Sequence, residues 1–196
     1  MAPPDLDIGA AGRPYAGEVV NGDAWQIDRH AGGCRLAVID GLGHGPPAAA
    51  ASDAACAALA QRPDLPPGQS LRLCHAALSG TRGAAISIAA IDASGTSLQY
   101  AGIGNVEGHL WHSGVQQRLM VYRGIVGAVL PEPRVFTFAL PSGWLLVLHT
   151  DGIRARFRLD ASPAEALDQA QHLADYLLAE WARPTDDAMV VVLRGI

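Results

Sequence analysis

The chain has 196 residues, 49% hydrophobic and 17% charged, with a net charge of −5, and all 14 of its basic residues other than histidine are arginine. This is long enough for one domain with a sizeable core, and no apolar run approaches the ~20 residues of a membrane helix. No basic cluster is long enough for a nucleic-acid footprint. The first residues, Met1-Ala2-Pro3-Pro4-Asp5-Leu6-Asp7, have acids where a signal peptide carries a basic region, so a cytoplasmic protein is the default expectation.

Glu18–Val20 reads as a first strand, followed by a turn at Asn21-Gly22 and a second strand over Asp23–Ile27. A turn over Arg29–Gly33 leads into Cys34–Ile39, an apolar strand ending in Asp40. If these strands pair antiparallel, Asp23 and Asp40 come together. Asp40-Gly41-Leu42-Gly43-His44-Gly45 must bend tightly or approach something closely, and Pro46-Pro47 then opens an alanine-rich helix reaching about Gln61. Ala48, Ala51, Ala55, Ala58 and Leu59 form its flat packing face. After the breaker Arg62–Gly68, a second helix is predicted over Ser70–Leu78.

Three hairpins are predicted next: Arg82–Ile91 with Ser97–Gly104, Val106–Trp111 with Gln117–Tyr122, and Arg134–Leu140 with Trp144–His149. The last strand runs into Thr150-Asp151-Gly152, a second strand-aspartate-glycine junction. Arg154, Arg156 and Arg158 alternate like a strand edge or a solvated face. Ser162–Trp181 reads as one helix, capped at Ser162-Pro163 with Glu165, whose buried stripe is Ala166, Ala170, Leu173, Leu177 and Leu178. Asp186-Asp187 opens a final buried strand, Ala188–Leu193. Helices segregated from antiparallel strands indicate an α+β layered domain.

Asp23, Asp40, Asp151, Asp186 and Asp187 all fall at strand ends. Hard divalent cations such as Mg²⁺ and Mn²⁺ choose carboxylate and carbonyl oxygens, and clustered carboxylates without a cation repel one another. Two such ions ~3.5–4 Å apart can activate a water and orient a phosphate. The alternative is that these aspartates only cap helices and make turns. The alternating glycines after Asp40 match neither a P-loop nor a dinucleotide fingerprint. No GxSxG is present to pair a nucleophile with His44, His75, His109, His112, His149 or His172, which read as exposed or ordinarily packed. Cys34, Cys56 and Cys74 form no CxxC pair and read as reduced thiols, Cys56 as core filling.

Taken together, Gly22-Asp23-Ala24, Val38–Gly45, Ala101–Val106, Gly124–Gly127, Thr150-Asp151-Gly152 and Asp186–Val192 resemble the metal-dependent (PPM-type) protein serine/threonine phosphatases, in their bacterial SpoIIE/RsbX-like branch. The resemblance spans roughly residues 17 to 193, within a single domain over 1–196. It implies a four-layer α-β-β-α sandwich of two antiparallel sheets flanked by helices, with two Mn²⁺ or Mg²⁺ ions at one end. By motif, Asp40 would bridge the ions and Gly41 would offer its carbonyl, with Asp23, Asp151, Asp186 and Asp187 completing the metal set. The implied reaction is hydrolysis of phosphoserine or phosphothreonine by direct attack of a metal-bound hydroxide. The implied substrates are phosphorylated regulatory proteins of the STAS-domain or stressosome type, with no nucleic acid or membrane partner.

Larger relatives carry a histidine directly after the Asp-Gly and an upstream phosphate-gripping arginine. Here Leu42 follows Gly41, His44 lies three residues beyond it as the candidate general acid, and no arginine is assigned to phosphate. A phosphatase-like module that binds a STAS-type partner without turnover is the alternative, and an intact acidic set argues against it.

Overall fold

The computed structural model describes residues 5–112, 114–159 and 162–195. Ten strands form two five-stranded antiparallel sheets. The first contains β1 (Leu6–Arg13), β10 (Ala188–Gly195), β9 (Leu145–His149), β6 (Glu107–His112) and β7 (Val115–Leu119), in that spatial order. The second contains β2 (Asp23–His30), β3 (Gly33–Gly41), β4 (Ala84–Asp92), β5 (Ser97–Ile103) and β8 (Phe136–Ala139). Helices α1 (Pro46–Ala60) and α2 (Pro67–Ala77) cover the outside of the second sheet, and α4 (Ala170–Trp181), with the short α3 (Ala164–Leu167) packed on it, covers the outside of the first. This is the α-β-β-α sandwich that the resemblance implies, and the α+β layering that the element order indicates.

Strand alternation sorts the cores. Cys34, Leu36 and Val38 of β3 face Leu146, Leu148 and Val191 of the other sheet, while Ala37 and Ile39 turn outward under the helices. The alanine face of α1 is buried as predicted, with Ala48, Ala51, Ala55 and Leu59 at 0% exposure, because small side chains let the helix lie close on the sheet. Arg35 points outward from β3 and is completely buried. Its guanidinium meets the Asp28 carboxylate at 2.6 Å, Ser70 Oγ, and the carbonyls of Leu59 and Arg62. One buried cation thus satisfies the end of α1 and ties the α1–α2 connection to the sheet.

Several expectations are corrected. Glu18–Val20 is not a strand; Val19 is 94% exposed and the segment is a loop. The strand preceding β2 is β1, made of Leu-Asp-Ile-Gly-Ala-Ala-Gly-Arg, a composition with low strand propensity. It forms because it pairs along its whole length with β10 and lies directly under α4, where a Cβ on Gly9 would stand 2.2 Å from the Ala170 carbonyl carbon. Arg134–Leu140 and Trp144–His149 do not pair as a hairpin. β8 joins β5, and β9 joins β10 and β6, so the Pro141-Ser142-Gly143 turn crosses between sheets.

The single helix over 162–181 is broken between α3 and α4, where Gln169 is extended (φ −138°, ψ 147°). The Asp7 carboxylate of β1 accepts from Ala170 N at 2.8 Å, so a residue distant in sequence supplies the new helix start. Ser162 gives no cap; its hydroxyl donates to the Arg158 carbonyl. Arg154–Arg158 is not a strand edge; Arg154, Arg156 and Arg158 are exposed, the solvated face that was the other expectation, and only Phe157 among them is buried. Among the described residues no helix is long and apolar enough to cross a membrane.

Candidate metal centre

Both sheets deliver aspartates to the same end of the sandwich. In the second sheet, Asp23 opens β2 and is the direct register partner of Asp40, near the end of β3. In the first sheet, β9 ends at His149 opposite Val190 of β10, which places Asp151 beside the Asp186-Asp187 pair. Asp40, Asp151 and Asp186 line one cleft of about 240 Å³, together with Tyr15, Leu42, Gly43, His44, Asn105 and Thr185.

A glycine adjoins each of Asp23, Asp40 and Asp151 because there is no room for a side chain. A Cβ on Gly22 would stand 2.7 Å from Asp187 Oδ2, one on Gly41 2.2 Å from the Ala48 carbonyl oxygen, and one on Gly152 1.8 Å from the Asp187 carbonyl oxygen. These contacts let the first turn of α1, the end of β3 and the start of β10 close around the carboxylates. Positive φ is needed only further along the loop, at Gly43 (94°) and Gly45 (68°), where the chain turns into α1.

The aspartates differ in their surroundings. Asp23 is buried beneath Asp40; Thr150 Oγ1 donates to its Oδ2 at 2.7 Å, and Met189 N donates to the same hydroxyl at 3.0 Å. Asn105 Nδ2 donates to Asp151 Oδ2 at 2.7 Å. Asp187 turns away from the cleft, where its Oδ1 accepts from Tyr15 N at 2.8 Å. Burial, followed by the charge of Asp40, holds the Asp23 carboxyl well above the usual carboxylate range. Burial, then Asp151 and Asp186, raise Asp40 in the same way, and burial with Asp151 raises Asp186. An all-oxygen donor set whose members repel one another in this way fits a hard divalent cation.

His44 lines the cleft but is engaged elsewhere. Its Nδ1 lies 2.8 Å from Glu18 Oε1 and its ring stacks on Tyr15 with centroids 4.6 Å apart. Sequence reasoning missed Asn105 and Thr150 as site residues, although both stood in the motifs already noted. Arg82 was also missed. Leu42 N donates to the Gly83 carbonyl at 3.0 Å, and this draws the 81–83 turn against the glycine loop. The Arg82 Nη1 consequently lies 2.6 Å from where a Cβ of Gly43 would be. No spacing rule links residue 82 to residue 43, so only the folded chain reveals the pairing.

Comparison with known proteins agrees with this geometry. The family model described as stage II sporulation protein E (SpoIIE) matches residues 30–195. A chain from a structure reported as "The bacterial stressosome: a modular system that has been adapted to control secondary messenger signaling" is 30% identical, with a TM-score of 0.88, over 97% of this chain and 100% of that one. RsbX in complex with magnesium superposes with a TM-score of 0.85 at 20% identity, over the whole of both chains. The catalytic domain of the serine/threonine protein phosphatase PstP, in complex with two manganese ions, does so with a TM-score of 0.70 at 20% identity, over 97% of this chain and 98% of that one. No curated protein matches in sequence.

Proposed function

The chain belongs to the stage II sporulation protein E (SpoIIE) family, and on that premise we propose that it is a Mg²⁺- or Mn²⁺-dependent protein serine/threonine phosphatase. The observation that carries this reading is the convergence of Asp40, Asp151 and Asp186 in one cleft, where burial and like charge push the Asp23 and Asp40 carboxyls above the usual carboxylate range.

Asp40, Asp151, Asp186 and the Gly41 carbonyl would hold the ions. Asp186 is the better ligand of its pair, because it lines the cleft, whereas Asp187 is buried beside it with Oδ1 accepting from Tyr15 N. Asp23 supports from below, its orientation set by Thr150. Bound divalent ions supply an acidified water and neutralise charge on the phosphoryl oxygens. The chain's own residues do the positioning. Asn105 locks Asp151, the Thr150 hydroxyl links Asp23 to the start of β10, and the close packing at Gly22, Gly41 and Gly152 prevents the carboxylates from drifting apart. Arg82, on the rim beside Gly43, is placed to meet the incoming phosphate. His44 is held at Nδ1 by Glu18 and stacked on Tyr15, and we assign it no proton-transfer role.

The substrates we infer are phosphoserine or phosphothreonine residues on regulatory proteins of the STAS-domain type. The 30% identical chain comes from a stressosome structure, and RsbX aligns over its full length. The test is Mn²⁺-dependent phosphate release from phosphorylated STAS-domain proteins and from a phosphoserine peptide, followed by mass spectrometry at each site. Asp40→Asn should lower kcat by at least roughly a hundredfold, the scale at which transition-state charge stabilisation operates. Release from the peptide but from no STAS protein would remove the substrate assignment alone. Failure on every substrate, with wild type and Asp40→Asn binding Mn²⁺ equally, would remove the phosphatase reading.

A further inference from the structure

On the outer face of the first sheet, away from the aspartate cleft, lies a second group of ligand-type side chains. Glu107 and His109 extend from β6 on the same face, and His149 ends β9 alongside them, since Glu107 and His149 are register partners. One ligand atom from each lies within 4.8 Å of the other two. His109 and His149 are 3% and 1% exposed, and their rings stack with centroids 5.4 Å apart. Glu107 Oε2, His109 Nε2 and His149 Nε2 are all buried without a hydrogen-bond partner. Three unsatisfied polar atoms directed at one another in a buried site are costly and call for an occupant.

The far side of each ligand is already fixed. His149 Nδ1 lies 2.8 Å from the Thr150 carbonyl, which can only accept, so Nδ1 carries the proton and Nε2 keeps its lone pair. His109 Nδ1 lies 3.1 Å from Gln116 Nε2, which donates to it; turning the Gln116 amide over would set its oxygen against Nδ1 and give His109 the same tautomer as His149, the form that frees Nε2 for an ion. Glu107 Oε1 is held by Arg118 at 2.7 Å, leaving Oε2 free, 3.7 Å from His109 Nε2. Oriented imidazoles with their second nitrogen bonded to a carbonyl, amide or carboxylate are the usual surroundings of metal ligands. Phe157 packs edge-on against both imidazoles and keeps them dry, while the Glu107 side chain, 20% exposed, provides the way in.

We propose that Glu107, His109 and His149 form a site for a divalent transition-metal ion of the zinc class, separate from the carboxylate centre. Two imidazoles and one carboxylate suit zinc and disfavour Mg²⁺. Zinc–ligand bonds of ~2.0–2.1 Å place tetrahedral donors about 3.3 Å apart, so the three ligand atoms, now within 4.8 Å of one another, would draw together by rotation of the side chains on binding. Because His149 immediately precedes Thr150-Asp151, an ion here would clamp β6 to β9 at the base of the catalytic junction. The inference is independent of the phosphatase reading.

The test uses Co²⁺ as a spectroscopic stand-in, added to the metal-free chain in excess Mg²⁺. Wild type and Asp40→Asn should each take up one equivalent with the intense visible absorption of a tetrahedral Co²⁺ site. Zn²⁺ should bleach that absorption and raise the Tm. Glu107→Gln and His109→Phe should each weaken Co²⁺ binding by at least about tenfold. Glu107→Gln is partly exposed and keeps the fold, so it decides the matter if His109→Phe does not fold. The proposal is overturned if wild type develops no such absorption, or if the absorption disappears in Asp40→Asn and persists in Glu107→Gln.

Discussion

At the scale of single residues, Arg82 and His44 approach the cleft from two neighbouring loops, and their surroundings separate them. Arg82 extends along Gly43 at the rim, whereas His44 is bonded to Glu18 and stacked on Tyr15. A guanidinium that meets a phosphate forms charge-assisted hydrogen bonds worth ~1.5–3 kcal/mol. Arg82→Ala should therefore raise KM for a phosphopeptide by about tenfold or more while leaving kcat within a few-fold, and Arg82→Lys should recover only part of the loss because lysine lacks the planar fork. His44→Ala should change kcat by less than about fivefold, since Glu18 and Tyr15 hold the ring and none of the site's aspartates bonds to it. Steady-state kinetics on one phosphopeptide decides both. A large kcat loss in His44→Ala would return the general-acid role to that histidine, and an unchanged KM in Arg82→Ala would take the phosphate from Arg82.

At the scale of elements, the site depends on how closely β9 and β10 meet. Thr150 N donates to the Met189 carbonyl and Met189 N to Thr150 Oγ1, each at 3.0 Å, and Gly152 lies against the Asp187 carbonyl with no space for a methyl. Gly152→Ala must push the two strand ends apart. Overpacking of this kind costs ~1–3 kcal/mol, and here the movement would separate Asp151 from Asp186. Calorimetry should show a lower Tm, and Mn²⁺ titration a weaker affinity than wild type. A variant with reduced Tm and unaltered Mn²⁺ binding would show that the contact supports the fold alone.

The same junctions show what could be read from the sequence. A run of apolar residues ending in Asp-Gly states both the strand and the position of its carboxylate, so Asp40 and Asp151 could be placed at strand ends, and the Asp186-Asp187 pair stands where the last apolar run begins. β1 was missed because Gly9, Ala10, Ala11 and Gly12 carry no strand signal; pairing with β10 and cover from α4 make it a strand. The supposed hairpin at Pro141-Ser142-Gly143 and the unbroken helix over 162–181 failed for a related reason. The partners of those segments, β5 for β8 and Asp7 for the start of α4, lie far away in sequence. Asn105 and Arg82 were not found as site residues because they reach the cleft across strand crossings with no fixed spacing.

Across the whole molecule, two sets of buried titratable groups act on stability in opposite directions. Asp23, Asp40 and Asp186 have raised pKa values, so without cations the folded chain holds protons that the unfolded chain releases. Their stabilising contribution is complete below the ordinary carboxylate range and is lost as pH rises through the raised values. His109, pushed down to about 4 by burial and then by His149, and His149, lowered by burial, act in the opposite sense. Their contribution is complete above the ordinary imidazole value of ~6.5 and is lost as pH falls toward the lowered values. In chelator, the Tm should therefore decline on both sides of a maximum, and the alkaline decline belongs to the carboxylates. Saturating Mn²⁺ should flatten the alkaline side, because ions favour the ionised carboxylates that are otherwise destabilising. Asp23→Asn should do the same without metal, raising the Tm by about 4 °C or more near pH 9, given that ~1 kcal/mol moves a domain of this size by ~2–4 °C. The acid side should be untouched by Asp23→Asn, which separates the two sets in one series of melts. A chelated wild type whose Tm is flat between about pH 6.5 and 9 would show that the clustered carboxylates carry no electrostatic cost, and the case for a cation at that end of the sandwich would lose its physical basis.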